Sequence, residues 1–94
     1  MGAIHTLNNN VNIIGKNIKK FRTSRKFSQP DVARKMQLLG VSMFIADIYE
    51  IENNKRLVKD FEVKAFCKVF NISLEEIYND TEKYGSIINV GVLK

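Results

Sequence analysis

The stretch from Ser28 to Gly40 constrains this chain more than any other. Ser28 precedes Pro30 and Asp31, so a serine hydroxyl is available to the free N–H groups of a first helical turn. Proline is tolerated in that turn because it has no N–H to leave unpaired, and Asp31 stands where a carboxylate reaches back to the serine backbone. A helix therefore starts here. Val32, Ala33 and Met36 give it a buried stripe, Leu38 and Leu39 extend that stripe, and Gly40 takes the left-handed conformation that stops it. After Val41 and Ser42, Phe44, Ile48 and Ile51 recur at i, i+4 and i+7 and point inward. Ile45, Ala46, Asp47, Tyr49 and Glu50 are left outside, and Asn53 and Asn54 end the segment. Two short helices joined by a tight turn are the expected centre of the fold.

The same reasoning places a helix on either side of this pair and one more beyond. Ile14, Ile18 and Phe21 repeat at helical spacing, with Lys16, Lys19, Lys20, Arg22, Arg25 and Lys26 around the remainder of the surface. Asp60 is placed to cap a fourth helix with Val63, Phe66, Cys67 and Phe70 on one face. Ser73-Leu74-Glu75-Glu76 is a full capping box for a fifth, which buries Leu74 and Ile77 before Asn79 and Asp80. The expectation is an all-α, five-helix domain over residues 13–80. Residues 1–12 are polar, asparagine-rich and aperiodic, and read as a flexible lead-in. Residues 81–94 form a tail in which Ile88, Val90 and Val92 alternate as in a strand. That tail is either free or a dimerising strand that pairs with its copy in a second subunit.

Charge narrows the partners. The net charge is +5, but residues 1–41 hold eight basic side chains against Asp31 alone, and the remainder has seven bases and nine acids. The first part is thus +7 and the rest −2, an imbalance that favours phosphates over a protein surface of mixed sign. Cys67 is alone, so no internal disulfide forms and the cytosol is the expected compartment. No apolar run reaches the roughly 20 residues of a bilayer span. His5 has no Cys, Asp or Glu near it, so neither a metal site nor a cofactor is expected, and no nucleophile stands with a matching base. Enzymatic activity is therefore not expected.

Taken together, SQPDVARKM, the glycine turn, DIYEIENNKR and NISLEEIY resemble the lambda-repressor and Cro family of helix-turn-helix transcriptional regulators. The resemblance covers about residues 13–79. It implies that the third helix enters the major groove of double-stranded DNA, with Phe44, Ile45, Ala46, Asp47 and Glu50 touching bases or backbone. It also implies phosphate contacts from Ser28 and Gln29 at the start of the second helix, and from Asn53, Lys55 and Arg56 beyond the third. Arg22 and Glu52 match an ion pair that is structural in the family, and a homodimer on a palindromic site is the implied assembly. Family members usually carry polar donors on the third helix, whereas this chain carries apolar groups and two carboxylates. A protein-interaction module on the same fold, or an antitoxin that binds both DNA and a protein, is the alternative.

Overall fold

The computed structural model describes residues 6–81 apart from Asn8. It has five helices: α1 (Gly15–Ser24), α2 (Gln29–Leu38), α3 (Ile45–Glu52), α4 (Asp60–Phe70) and α5 (Leu74–Ile77). There is no strand among the described residues, only an isolated antiparallel bridge between Leu7 and Asn10. The expected strand-like tail lies outside the described residues. No helix among those described is long and apolar enough to cross a membrane.

Each helix begins where a side chain answers unpaired N–H groups. The Ser28 hydroxyl accepts from Asp31 N–H at 3.1 Å while the Asp31 carboxylate accepts from Ser28 N–H at 2.7 Å. Ser73 and Glu76 repeat the box at α5. α1 is capped from outside, because Asn12 Oδ1 accepts from Gly15 N–H at 2.7 Å and Ile14 N–H at 3.2 Å. α4 corrects an expectation: Asp60 is its first residue, and the carboxylate that reaches back is Glu62, to Lys59 N–H at 2.9 Å. The stops are left-handed residues. Gly40 (φ +85°) lets Val41 N–H return to the Met36 carbonyl, Asn54 (φ 61°) lets Lys55 N–H return to that of Glu50, and Asn71 (φ 56°) lets Ile72 N–H return to that of Cys67.

α3 packs against α1 and α2, while α4 backs α1 and α2 and carries α5. The core between them is made by Ile18, Val32, Met36, Ile48, Ile51, Phe66 and Ile77, with Phe70 as an aromatic hub. Phe21, Phe27 and Phe66 stack on Phe70 at centroid distances of 6.1, 6.5 and 6.2 Å, within the range where ring pairs attract.

Four apolar residues expected inside are exposed. Leu38 is 79% accessible, since at about 100° per residue it lies nearly half a turn round the helix from the buried Met36. Leu39 is the residue after the helix and no longer follows its period. Phe44 (65% accessible) precedes the first turn of α3 with extended backbone, and Met43 fills the core in its place. Leu74 opens a four-residue helix that turns only Ile77 inward. The lead-in also differs from expectation, because Asn10, Val11 and Asn12 are tied to the end of α3.

Candidate nucleic-acid interface

The last residue of α3 is where three helices meet. Glu52 is buried, and Arg22 of α1 approaches it with two parallel bonds, Nε to Oε2 at 2.6 Å and Nη2 to Oε1 at 3.0 Å. Gln29, the first residue of α2, donates Nε2 to the same Oε1 at 3.1 Å. A third donor of Arg22 reaches the Phe27 carbonyl at 3.0 Å. A bidentate guanidinium and an amide thus satisfy a carboxylate that burial would otherwise penalise. The node fixes how α3 is turned relative to α1 and α2.

Two further devices hold this end. Gly15 lies so close to α3 that a Cβ would collide with the Ile51 carbonyl oxygen, so only glycine permits the approach. Asn12 Nδ2 donates to the Ile51 and Arg56 carbonyls at 3.0 and 2.9 Å, and Asn54 Oδ1 accepts from Val11 and Asn12 N–H. Four backbone groups near the helix end are satisfied by two asparagines.

With that end held, the outer side of α3 faces solvent. Ile45, Ala46, Tyr49 and Glu50 are exposed, as is Phe44 before them. Asp47 is the exception among the five residues expected to touch DNA bases or backbone. Its Oδ2 accepts from Phe44 N–H at 2.8 Å and its Oδ1 lies 3.5 Å from Arg56 Nε. Asn53 is exposed, with its amide donating to the Tyr49 carbonyl at 2.8 Å, and Lys55 places its Nζ 5.6 Å from the Tyr49 ring centre.

Arg56 is not a free phosphate ligand. Nη1 and Nη2 bond the two Glu62 oxygens at 2.9 Å each, and Nη1 also donates to the Leu57 carbonyl at 2.9 Å. The bonds to Glu62 raise the Arg56 pKa above its ordinary value despite partial burial. Burial pushes the Glu62 carboxyl upward, but the Arg56 bonds and the Lys59 N–H outweigh it and leave it below the usual carboxylate value. Gln29 is likewise engaged through its side chain, which leaves Ser28 and the first turn of α2 at that position. Sequence reasoning missed Glu62, Asn12, Asn54 and Gly15. Only the left-handed preference of asparagine was a visible signal, and it gave the stop without the tether.

The basic residues divide into two groups. Gly15, Lys19 and Arg22 follow at i, i+4 and i+7, and the outer two meet α3, so Lys19 lies on the same side of α1. Lys16 shares with Asn53 and Asn54 the lining of a cavity of about 230 Å³. Lys16, Lys19 and Lys55 therefore surround the C-terminal end of α3. Arg25 and Lys35 lie elsewhere, over the Phe21 and Phe27 rings at 5.2 and 4.7 Å, beside the aromatic hub. The positive charge of residues 1–41 is not gathered on a single face.

No protein-family model and no curated protein matches this chain.

Proposed function

We propose that this chain is a double-stranded DNA-binding domain of the helix-turn-helix type, of the kind found in lambda-repressor and Cro relatives, acting as a small cytoplasmic transcriptional regulator. The observation that carries the reading is the Arg22–Gln29–Glu52 node, which anchors α3 by its buried end while its outer side and a set of basic residues remain accessible. In this reading α3 lies in the major groove. Ser28 and the positively polarised first turn of α2 meet one phosphate, and Lys16, Lys19 and Lys55 meet others. Phe44, Ile45 and Ala46 supply apolar contact to thymine methyl groups, and Glu50 accepts from a cytosine amino group. Asp47, already paired with Arg56, repels phosphates less than its sequence implies. Two copies would place their α3 helices about 34 Å apart on a palindrome.

The test is a fluorescence anisotropy titration over a range of salt concentrations. Each neutralised phosphate contributes about −0.9 to the log–log slope, so replacing Lys16, Lys19 and Lys55 together by alanine is expected to flatten it by about 2.7 for each bound copy. A wild-type affinity that ignores salt would remove the reading.

A second reading rests on the exposed apolar residues Leu38, Phe44, Ile45 and Tyr49, which suit a protein partner, as in an antitoxin. Glu50→Lys separates the two. It strengthens general DNA affinity if phosphates lie opposite, and weakens complex formation if the partner is a protein.

A further inference from the structure

A concavity that shares no residue with the Glu52 node lies between α4 and α5. Its volume is about 850 Å³, and Phe61, Val63, Cys67, Ile72, Leu74 and Tyr78 give it an apolar lining. Phe61 and Leu74 are more than half accessible, while Lys64 and Lys68 stand among the lining residues as the basic groups. A contiguous apolar surface of this kind on a small domain marks something that covers it.

We propose that residues 86–93 of the same chain, SIINVGVL, seat in this groove, with Ile88, Val90 and Val92 turned toward it. Three observations select that occupant. First, the described chain leaves α5 beside the groove: Thr81 is buried, its hydroxyl donates to the Tyr78 carbonyl at 2.7 Å, and Tyr78 lines the groove. Second, the reach is sufficient. Residues 82–86 span up to about 17 Å when extended, comparable with the roughly 16 Å length of the 11-residue α4. Third, the segment matches the groove in chemistry. It carries no charge, and alternate side chains put Ile88, Val90 and Val92 on one side as an extended chain requires.

The linker decides between this segment and a second copy of the chain. A segment joined by a handful of residues meets the groove at an effective concentration on the order of millimolar, which a second copy at micromolar concentration does not approach. The inference is independent of the DNA-binding reading, since neither α3 nor its basic neighbours take part.

The test places a nitroxide on Asn89→Cys in a Cys67→Ser background and records amide spectra of the whole chain. Signals of Phe61, Lys64 and Leu74 are expected to be lost and those of Ile45 and Tyr49 retained. Mixing nitroxide-bearing chains without nitrogen-15 with nitrogen-15 chains lacking the nitroxide isolates contacts between copies. Loss in the mixture equal to that in the single sample would overturn the proposal in favour of a second copy, and no loss in either sample would overturn it outright. A chain ended after Thr81, with Cys67 intact, gives a check without a label. Fluorescence of an apolar dye such as anilinonaphthalene sulfonate is expected to rise several-fold, with amide shifts confined to α4 and α5. Unchanged dye binding and unchanged shifts would again overturn it.

Discussion

The two ends of α3 are held by opposite means. At its C-terminal end a buried carboxylate is gripped by Arg22 and Gln29, Gly15 allows α1 to press close, and two asparagines bind the backbone. At its N-terminal end Phe44 and Ile45 are exposed apolar residues, and the polar holds come from side chains that water reaches, Gln37 Nε2 to the Met43 carbonyl at 2.8 Å and Asp47 between Phe44 N–H and Arg56. The difference teaches that the direction of the helix is set from its buried polar end. The chemistry of its outer face is then free to vary without disturbing the fold.

The sharpest way to break the comparison is Arg22→Ala. It strands the Glu52 carboxylate in the interior, and a loss of about 3–5 kcal/mol is expected from urea unfolding at constant slope. Arg22→Lys recovers only part, because an ammonium cannot form two parallel bonds to one carboxylate. A loss below about 1 kcal/mol would rank the pair with surface ion pairs.

Arg56→Ala comes next. Glu62 is buried but Arg56 is partly reached by water, so about 2–3 kcal/mol is expected. If the proposed function holds and Arg56 is structural, the salt dependence of DNA affinity stays as in the wild type. Lys55→Ala is its mirror image, leaving stability within about 0.5 kcal/mol and flattening the slope by about 0.9 for each bound copy.

A smaller effect is expected with pH. The Glu62 carboxyl lies below its ordinary value of 4.5, so the unfolded chain binds more protons than the native one as acid is added. The stability this contributes is present above pH 4.5 and disappears as pH falls through the native value. Glu62→Gln is expected to remove that part of the acid slope in thermal unfolding below about pH 5. An unchanged slope would place the acid sensitivity elsewhere. The smallest effect is Leu38→Gln, within about 0.5 kcal/mol by the same measurement, because this leucine covers nothing.

What was legible in the sequence is what local chemistry decides. The boxes at Ser28 and Ser73 and the stops at Gly40 and Asn54 depend on residues a few positions apart, and the structure has them. Periodicity failed where it was carried past a helix end, at Leu39 and Phe44, since residues outside the helix do not share its phase. The pairing of Arg22 with Glu52, 30 residues apart, came from the family resemblance and not from spacing. The Arg56–Glu62 pair was missed because it depends on the path of a loop. Asn12 was missed because a run of asparagines looks like a linker until its amides are placed against carbonyls.

Asn17 of α1 donates to the Ile77 and Asn79 carbonyls at 2.8 and 2.9 Å, across 60 and 62 residues of chain. A helix as short as α5 has no stability of its own, so its last turn exists only once the opening helix is in place to receive it. Closing so long a loop costs chain entropy before any contact rewards it, so this junction is expected to be among the first to part on warming. Amide exchange in native buffer should therefore find α5 open well before α2 or α4.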